Sequence, residues 1–547
     1  NGRKSSKIMS NKFRLSSGGE INRTERISFK FNGKTFFGYK GDTLASALLA
    51  NGVHLVGRSF KYHRPRGFLS SGSEEPNAIV QVIKDKARTE PNIRATEIEI
   101  FEGFEAKSQN CWPSVNFDLG EINNFLSPIL PAGFYYKTFM WPAKLWETYE
   151  YFIRKSAGLG VSATERDPDL YDHRYYHCDV LIVGSGPAGL TAASIAVKSG
   201  KKVLLVDEKA DHGGSLVGSD SELTKINDGT PKDWVNKTFS NLSKNKNIKI
   251  LNRTSVAAYH NYNYLIMVQN LTDHLNEEEK QNKIRQRLWK VRAKKVILAT
   301  GSIERAMVFD CNDRPGIMLS SAVRKYLNHY GVKCGNNVVI FANNDDAYET
   351  ALSLHNKGVA IKAIIDIRED SQGDLVKKCL GKGLKILWKH AVVSTSGRKK
   401  VNQVSVMKLS NNNNSVIENI ITIDCDLLCV SGGYTPAVHL FTQSGGKLLY
   451  NENKSYFYPG KNLLKQISIG SCTGIFNLKK IIDDTFVKVN DFLKTDIKND
   501  IIVSDLKSGE FENIWLIPSD KIPGKTKSFV DFQNDSTAND IKLALRE

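Results

Sequence analysis

Three glycines in the stretch GSGPAGL are the residues best placed for chemistry, because they follow the apolar run VLIV and open a segment with a helical pattern. In such a strand–turn–helix unit the first glycine permits a tight turn and the second lets a pyrophosphate approach the backbone. The third glycine lets the helix pack closely on the strand, and the first N–H groups of the helix face the phosphates. The stretch predicts a dinucleotide site formed by Gly184, Ser185, Gly186, Pro187, Ala188 and Gly189.

A pair of acids, Asp207 and Glu208, ends the next apolar run, VLLV. A carboxylate at this place accepts hydrogen bonds from ribose hydroxyl groups, and it repels the additional phosphate of NADP. The pair therefore favours NAD or FAD, and either acid can be the one that binds the ribose.

Two further apolar strands end in glycine turns, Thr300-Gly301 and Gly432-Gly433. In flavoproteins with two dinucleotide sites, such turns bring the backbone close to the same cofactor. Those proteins usually carry a Gly-Asp pair near the end of the domain, whose carboxylate binds the flavin. Here Gly470 is followed by Ser471, and the loss of the carboxylate favours NAD over FAD.

A second strand–helix–strand pattern lies at about residues 335–370. Its turn, ANNDDA, lacks the three glycines and carries Asp345 and Asp346, which would repel a pyrophosphate. We expect a structural role for this unit, and a second nucleotide held in a different way is the alternative.

The stretch GRSFKYHRPRG, residues 57–67, is basic and aromatic. We expect internal ion pairing there, with Glu74 and Glu75 as neutralising acids. Contact with an anion or a flavin phosphate is the second interpretation, and binding of single-stranded nucleic acid is disfavoured because the patch is short. A plant-type ferredoxin has its cluster cysteines in the equivalent loop. The first cysteine of this chain is Cys111, so we expect no iron–sulfur cluster.

The elements that position these motifs predict an α/β protein. We expect an N-terminal, cluster-free, ferredoxin-like β-grasp domain, followed by a doubly wound, Rossmann-like domain of the two-dinucleotide-binding type. The expected parts are an N-terminal tail (1–24), the ferredoxin-like domain (25–105), an aromatic-rich connecting segment (106–175), the dinucleotide-binding domain (176–490) and the truncated start of a following domain (491–547).

Composition narrows the class of protein. The chain has 547 residues, a net charge of +18 and 41% hydrophobic residues. Because Lys and Asn recur throughout, the charge is diffuse, and we predict no nucleic-acid partner. Eight widely spaced cysteines indicate a reducing, cytoplasmic location, and Cys425 and Cys429 fit buried thiols of one strand better than a metal site. We therefore predict no metal site. No signal core or long apolar run is present, so we also predict no membrane segment.

Several runs resemble, in order and from about residue 10 to 547, the alpha subunits of heterotetrameric sarcosine oxidases. The runs are DTLASALLANGV, GRSFKYHRPRG, SGSEEPNA, FLSPILPAGFYYKTFMWP, GSGPAGLTAA, DEKADHGGSL, ANNDDAYETAL and VSGGYTPAVHLFTQSGGKL.

This resemblance implies an oxidoreductase subunit with NAD in the Rossmann-like domain, where Gly213-Gly214 and Thr300-Gly301 would line the site. It also implies FMN at the interface with a beta subunit that carries FAD, together with gamma and delta subunits. Sarcosine is oxidised at the beta subunit, giving glycine, hydrogen peroxide and either formaldehyde or methylene-tetrahydrofolate. The tetrahydrofolate-binding part is absent from this sequence, so we expect a fragment, and we expect none of its residues to be catalytic.

Two alternatives stay open. One is the equivalent subunit of N-methylglutamate dehydrogenase or another secondary-amine dehydrogenase, because substrate choice belongs to the partner subunit. The other is a free-standing FAD-dependent pyridine nucleotide oxidoreductase, which Ser471 and the Asp345-Asp346 turn disfavour.

Overall fold

The computed structural model describes residues 11–126, 141–156, 158–504, 506–509, 511–518 and 527–546. The expected connecting segment (106–175) and final segment (491–547) therefore lie partly outside the described residues. The chain forms two compact units. The first contains Asn1–Pro168, Ala306–Gly432 and Ile514–Glu547, and the second contains Asp169–Arg305 and Gly433–Asn513.

The first unit begins with a mixed sheet. Its first two strands form a hairpin that turns at Asn32 and Gly33, which both adopt positive φ angles. A buried helix, Leu44–Ala50, follows the hairpin, and the first strand pairs in parallel with the strand Glu105–Ser108. The strand order is Lys34–Lys40, Asn22–Phe31, Glu105–Ser108, Ile79–Ile83 and Glu90–Arg94.

A five-stranded parallel sheet also belongs to the first unit, and it contains the predicted second strand–helix–strand pattern. Its strands occur in the order Ile317–Leu319, Leu427–Ser431, Asn337–Ala342, Ala360–Asp366 and Ile386–Trp388. Its helices are Ser320–Asn328, Asp346–Asn356 and Asp374–Gly381. An antiparallel sheet of His390–Ser396, Gln403–Leu409 and Val416–Asp424 shares one apolar core with it.

The second unit is built on one large sheet whose parallel part contains the runs VLIV and VLLV, buried on both faces. The strand order is Ile248–Leu251, Val203–Val206, Leu170–Val183, Ile284–Leu298, Tyr264–Asn270 and Thr254–His260, and Gln466–Ser468 pairs with Ile284–Leu298. The helices are Pro187–Lys198, Pro231–Ser243, Glu277–Lys280, His439–Gln443 and Leu478–Leu493. Helices packed on parallel strands confirm the predicted α/β class.

Short elements complete the described chain. The paired short strands are Gly57–Arg58 with Pro65–Arg66, Pro113–Ser114 with Phe117–Asp118, Ser302–Glu304 with Tyr434–Pro436, Leu448–Asn451 with Tyr456–Pro459, and Phe529–Asp531 with Ser536–Thr537. The remaining α-helices of the described ranges are Ile122–Phe125, Trp146–Ser156 and Ala538–Arg546. None of the helices in these ranges is long and apolar enough to cross a bilayer. The compact units are interleaved along the chain, so the domain bounds expected from the sequence stay predictions.

Candidate dinucleotide site

The turn between strand Leu170–Val183 and helix Pro187–Lys198, which we call the phosphate turn (Gly184–Gly189), needs glycine at two places. Gly184 has a φ of +100°, and a Cβ atom there would lie 2.3 Å from the carbonyl oxygen of Ala299. A Cβ atom on Gly189 would lie 1.9 Å from the carbonyl oxygen of Gly184. The first and third glycines are therefore fixed by the packing of the turn against the sheet and the helix.

Gly186 differs from the other two glycines. It is the N-cap of helix Pro187–Lys198 with a φ of −70°, and the nearest atom to a Cβ built there is the Cα of Gly214, at 3.8 Å. That distance is ordinary van der Waals contact, so the protein's own packing does not require glycine here. The helix N-terminus beyond it is suited to an anion, since its first N–H groups have no carbonyl within the helix.

Asp207 braces the phosphate turn. Its Oδ2 accepts hydrogen bonds from the Ser185 backbone N–H at 2.6 Å and from the Ser185 hydroxyl at 2.7 Å. Its Oδ1 accepts a third hydrogen bond from the backbone N–H of Lys209 at 3.0 Å. Glu208 is exposed beside it. Both acids lie directly after strand Val203–Val206, as predicted, and which of them binds a ribose stays a prediction.

His212 is a member of the site that sequence reasoning missed. Its Nδ1 lies 2.9 Å from the Ser185 hydroxyl oxygen, and its ring stacks on Phe239 with centroids 4.3 Å apart. The single hydroxyl proton of Ser185 goes to the Asp207 carboxylate, which can only accept, so His212 donates from Nδ1. Burial lowers the pKa of His212 against the opposing charges of Asp207 and Asp211. The sequence signal that could have identified His212 is its position directly before Gly213-Gly214.

The glycine pair Gly213-Gly214 packs against the phosphate turn. Gly213 has a φ of +113° and donates its N–H to the carbonyl oxygen of Ser185 at 2.9 Å. A Cβ atom on Gly214 would lie 2.8 Å from the Cα of Gly186. Ser185 is thus held through its N–H, its hydroxyl and its carbonyl by one short stretch of chain.

Two other parts of the chain that carry predicted site residues lie near the phosphate turn. Ala299, next to Thr300, donates its N–H to the carbonyl oxygen of Val183 at 2.8 Å, and Gly301 has a φ of +78° with open space around it. A Cβ atom on Gly470 would lie 2.8 Å from the Cβ of Ala188. Gly470 therefore lies against the start of helix Pro187–Lys198, and Thr300 and Gly301 directly follow a residue that contacts the strand before the phosphate turn.

Gly432 and Gly433 have local contacts of their own. The carbonyl oxygen of Gly432 accepts a hydrogen bond from Trp515 Nε1 at 2.8 Å. Gly433 has a φ of +75°, and a Cβ atom there would lie 2.4 Å from the ring of Phe511. The chain passes from one compact unit to the other between these two glycines. Their contact with a cofactor stays a prediction.

The turn ANNDDA of the second strand–helix–strand pattern lies in the first unit, and its two carboxylates pair with arginines. Arg368 pairs with both Asp345 and Asp366 at 2.7 Å, and all three side chains are buried. Arg324 pairs with Asp346 at 3.1 Å. These contacts support the expected structural role, because each carboxylate of the turn is neutralised by an arginine of the same unit.

The basic stretch 57–67 is paired internally, which confirms that interpretation of it. Arg64 donates two hydrogen bonds to Asp313, both 2.7 Å long, and the buried Arg66 pairs with Asp313 and Asp535. Although burial alone would raise it, the charges of Arg64 and Arg66 hold the pKa of Asp313 well below its usual value. The neutralising acids are therefore distant in sequence, and the prediction of Glu74 and Glu75 for that role is wrong.

Comparison with known families gives two matches. Residues 178–456, just over half of the chain, match the family model of pyridine nucleotide-disulphide oxidoreductases. Residues 24–111 match the family model of a 2Fe-2S iron-sulfur cluster binding domain.

Two curated relatives extend the likeness to nearly the whole chain. The sarcosine oxidase subunit alpha of Rhizobium meliloti (strain 1021) is 41% identical over 98% of this chain and 53% of its own length. That of Corynebacterium sp. (strain P-1) is 34% identical over 96% of this chain and 50% of its own length. The chain therefore spans about half the length of the curated relatives it matches, and the predicted resemblance is confirmed.

A solved structure supports the fold. The L-proline dehydrogenase from P. horikoshii superposes with a TM-score of 0.58 at 18% identity, covering 89% of this chain and 76% of that one. At this identity the similarity shows the α/β architecture alone.

The cofactor prediction needs a correction in the N-terminal domain. The prediction of a domain without an iron–sulfur cluster is wrong, because residues 24–111 match the cluster-binding family. It rested on the absence of cysteine from the loop 57–67. The match instead extends over the strands and helix of the whole range, so the residues of one loop are not sufficient to assign the domain.

The matches agree with the phosphate turn described above, since pyridine nucleotide oxidoreductases are built on folds that hold dinucleotides at such turns. The family model covers that turn, Asp207 and both glycine pairs that follow it. The chain belongs to the pyridine nucleotide-disulphide oxidoreductases and, along nearly its whole length, resembles the alpha subunits of sarcosine oxidase.

Proposed function

We propose that this chain is the alpha-type subunit of a complex that oxidises a secondary amine, of the kind named in its relatives. The observation that carries this proposal is the 41% identity with the Rhizobium meliloti subunit over 98% of the chain. Sarcosine is the first candidate substrate, and N-methylglutamate or a related amine is the alternative.

The chain's own role in the proposal is to hold an adenine dinucleotide by its two phosphates. The phosphate turn offers the N-terminus of a helix, an unobstructed Gly186, and a shape fixed by Asp207 and His212. A pyrophosphate placed there meets backbone N–H groups at the positive end of the helix dipole. The residues proposed to form the site are Gly184–Gly189, Asp207 or Glu208, Gly213, Gly214, Thr300, Gly301, Gly432, Gly433 and Gly470.

Amine oxidation in this proposal takes place on a partner. A beta subunit carrying FAD would oxidise the amine, this chain would help to form the flavin interface, and gamma and delta subunits would complete the complex. The relatives are named as subunits, which supports an assembly of this type.

The test is to tag the chain in its own cells, purify it with its partners, and identify the subunits by mass. The purified complex is then given sarcosine, N-methylglutamate and proline, and hydrogen peroxide release and dye reduction are measured. Turnover of a secondary amine supports the proposal, and the preferred amine names the substrate. A chain that purifies alone and oxidises NADH with bound FAD would contradict it in favour of a free-standing reductase.

A further inference from the structure

One exposed face of the sheet in the second unit carries charged and aromatic side chains that the proposed function does not use. It is formed by alternate residues of four neighbouring strands. We call it the outer sheet face, and its members are His173, Tyr175, His177, His260, Tyr264, Ile266, Val268, Leu288, Lys290 and Arg292.

The strand register arranges these side chains in rows. One row crosses all four strands and consists of His177, Arg292, Tyr264 and His260. The adjacent rows consist of Tyr175, Lys290 and Ile266, and of His173, Leu288 and Val268. Side chains that lie directly opposite each other on neighbouring strands are close enough to act as one surface.

The two faces of this part of the sheet differ sharply. Met267, Trp289 and Val291 point inward and are at most 3% exposed. Tyr175, on the outer face, is 73% exposed, and Arg292 is also exposed. Because successive side chains of a strand point to opposite faces, one face is fixed in the core while the other meets solvent.

The cations of the outer sheet face are held by aromatic rings. Lys290 Nζ lies 5.2 Å from the centroid of the Tyr175 ring, and the Arg292 guanidinium lies 5.4 Å from that of Tyr264. Neither cation pairs with a carboxylate in the part of the chain that the structure describes, and none of the ten members is an acid. The rings therefore fix two positive charges in place without neutralising them.

We propose that the outer sheet face is a docking surface for a protein partner with an acidic surface. Its uncompensated charges are complementary to carboxylates, and half-buried Ile266, Val268 and Leu288 supply an apolar centre beside them. Tyrosine and arginine are enriched where proteins meet.

Two other occupants fit less well. Single-stranded nucleic acid needs aromatic faces on which bases stack, and here the rings of Tyr175 and Tyr264 already lie against cations. A second copy of this chain would bring like charges together, which opposes association. An acidic protein surface makes use of both the cations and the apolar centre.

The test uses the full chain and a fluorescent dodecamer of L-glutamate as the probe. The variant Lys290→Gln/Arg292→Gln removes two charges from the outer sheet face. The control, Lys237→Gln/Lys246→Gln, removes two exposed charges elsewhere in the same unit. Circular dichroism of both variants is recorded to check that they are folded.

We expect the outer-face variant to bind the glutamate probe at least fivefold more weakly than the wild-type chain, and the control to change less than twofold. Equal losses in both variants would overturn the proposal, because binding would then reflect only net charge. Tighter binding of a dodecamer of deoxythymidylate through the same two residues would overturn it in favour of nucleic acid. A dimer that disappears in the outer-face variant would overturn it in favour of a second copy.

Discussion

At the scale of the residue, the three glycines of the phosphate turn have separable roles. Gly184 and Gly189 are required by backbone contacts, whereas the space beside Gly186 is open. A side chain at Gly186 therefore tests the ligand rather than the fold, since nothing in the described protein would clash with a single Cβ atom there.

We predict that Gly186→Ala weakens binding of an adenine dinucleotide at least tenfold while changing the free energy of unfolding by less than about 1 kcal/mol. The added methyl group would occupy the space through which a pyrophosphate approaches the helix N-terminus. Calorimetric titration with NAD and FAD, together with urea denaturation, measures the two quantities. Gly381→Ala, whose Cβ would meet nothing within 4 Å, is the control and should leave dinucleotide binding unchanged. Unchanged dinucleotide binding in Gly186→Ala would contradict the prediction, because the phosphates would then not bind beside Gly186.

His212 gives a second prediction at this scale. His212→Phe keeps an aromatic ring on Phe239 but removes the donor to Ser185, so the brace on the phosphate turn loses one hydrogen bond. A neutral hydrogen bond contributes about 1 kcal/mol, which corresponds to roughly fivefold weaker dinucleotide binding. His212→Asn retains a donor at a similar reach and should recover most of the affinity. Weaker binding in His212→Asn together with unchanged binding in His212→Phe would contradict the prediction, because the ring rather than the donor would then be what matters.

At the scale of the element, a buried group of charges joins three distant parts of the first unit. Arg66 bonds to Asp313 and Asp535, which are 247 and 469 residues away along the sequence. Phe529 and Phe532 pack against its guanidinium group. The short strands near the C-terminal end of the described chain are thereby tied to the loop after the first helix.

We predict that Arg66→Met destabilises the chain by about 3–5 kcal/mol, because two buried carboxylates would lose their shared partner. Lys30→Met is the control in the same unit. The charged groups of the exposed Lys30 and the half-buried Glu105 are 4.0 Å apart, so loss of this ion pair should cost less than about 1 kcal/mol. Thermal and urea denaturation compare the two. Similar small effects in both variants would mean that the buried network adds little.

Glu75 supports the loop 69–78 in a different way. Its carboxylate accepts hydrogen bonds from the backbone N–H groups of Leu69, Ser70, Asn77 and Ala78. Burial raises the pKa of Glu75 to about 7, although those donors act in the opposite direction. Between the ordinary value of 4.5 and about 7, the folded chain holds a proton that the unfolded chain has lost.

We therefore predict that Glu75 makes the protein less stable as the pH rises from about 4.5 to about 7, with a slope of at most about 1.4 kcal/mol per pH unit. The measurement is urea denaturation across that range for the wild-type chain and for Glu75→Gln, which cannot ionise. The wild-type chain should lose stability relative to the variant as the pH rises. The exposed neighbour provides the control, since Glu74→Gln should follow the wild-type curve. A difference that stays constant with pH would contradict the prediction.

At the scale of the whole molecule, features with local sequence patterns were predictable. The phosphate turn, the parallel strands on both sides of it and the hairpin at Asn32 and Gly33 each follow from a few neighbouring residues. The ion-pair partners of Arg66 could not be predicted from the sequence, because no local pattern identifies an acid that lies hundreds of positions away. His212 was missed since a single histidine has no periodicity. The N-terminal domain was predicted to lack a cluster because one loop contains no cysteine, whereas its family match extends over the whole range 24–111.

The central claim concerns the whole molecule, since the strand ends, the glycine pairs and the helix start must together hold one dinucleotide. The most direct test is to denature the purified chain and to identify the released nucleotide by absorbance and mass. We predict close to one adenine dinucleotide, NAD or FAD, for each wild-type chain, and none from a folded Gly186→Val variant. A wild-type chain that releases none and takes up neither NAD nor FAD would contradict the account, as would a Gly186→Val variant that retains as much as the wild-type chain.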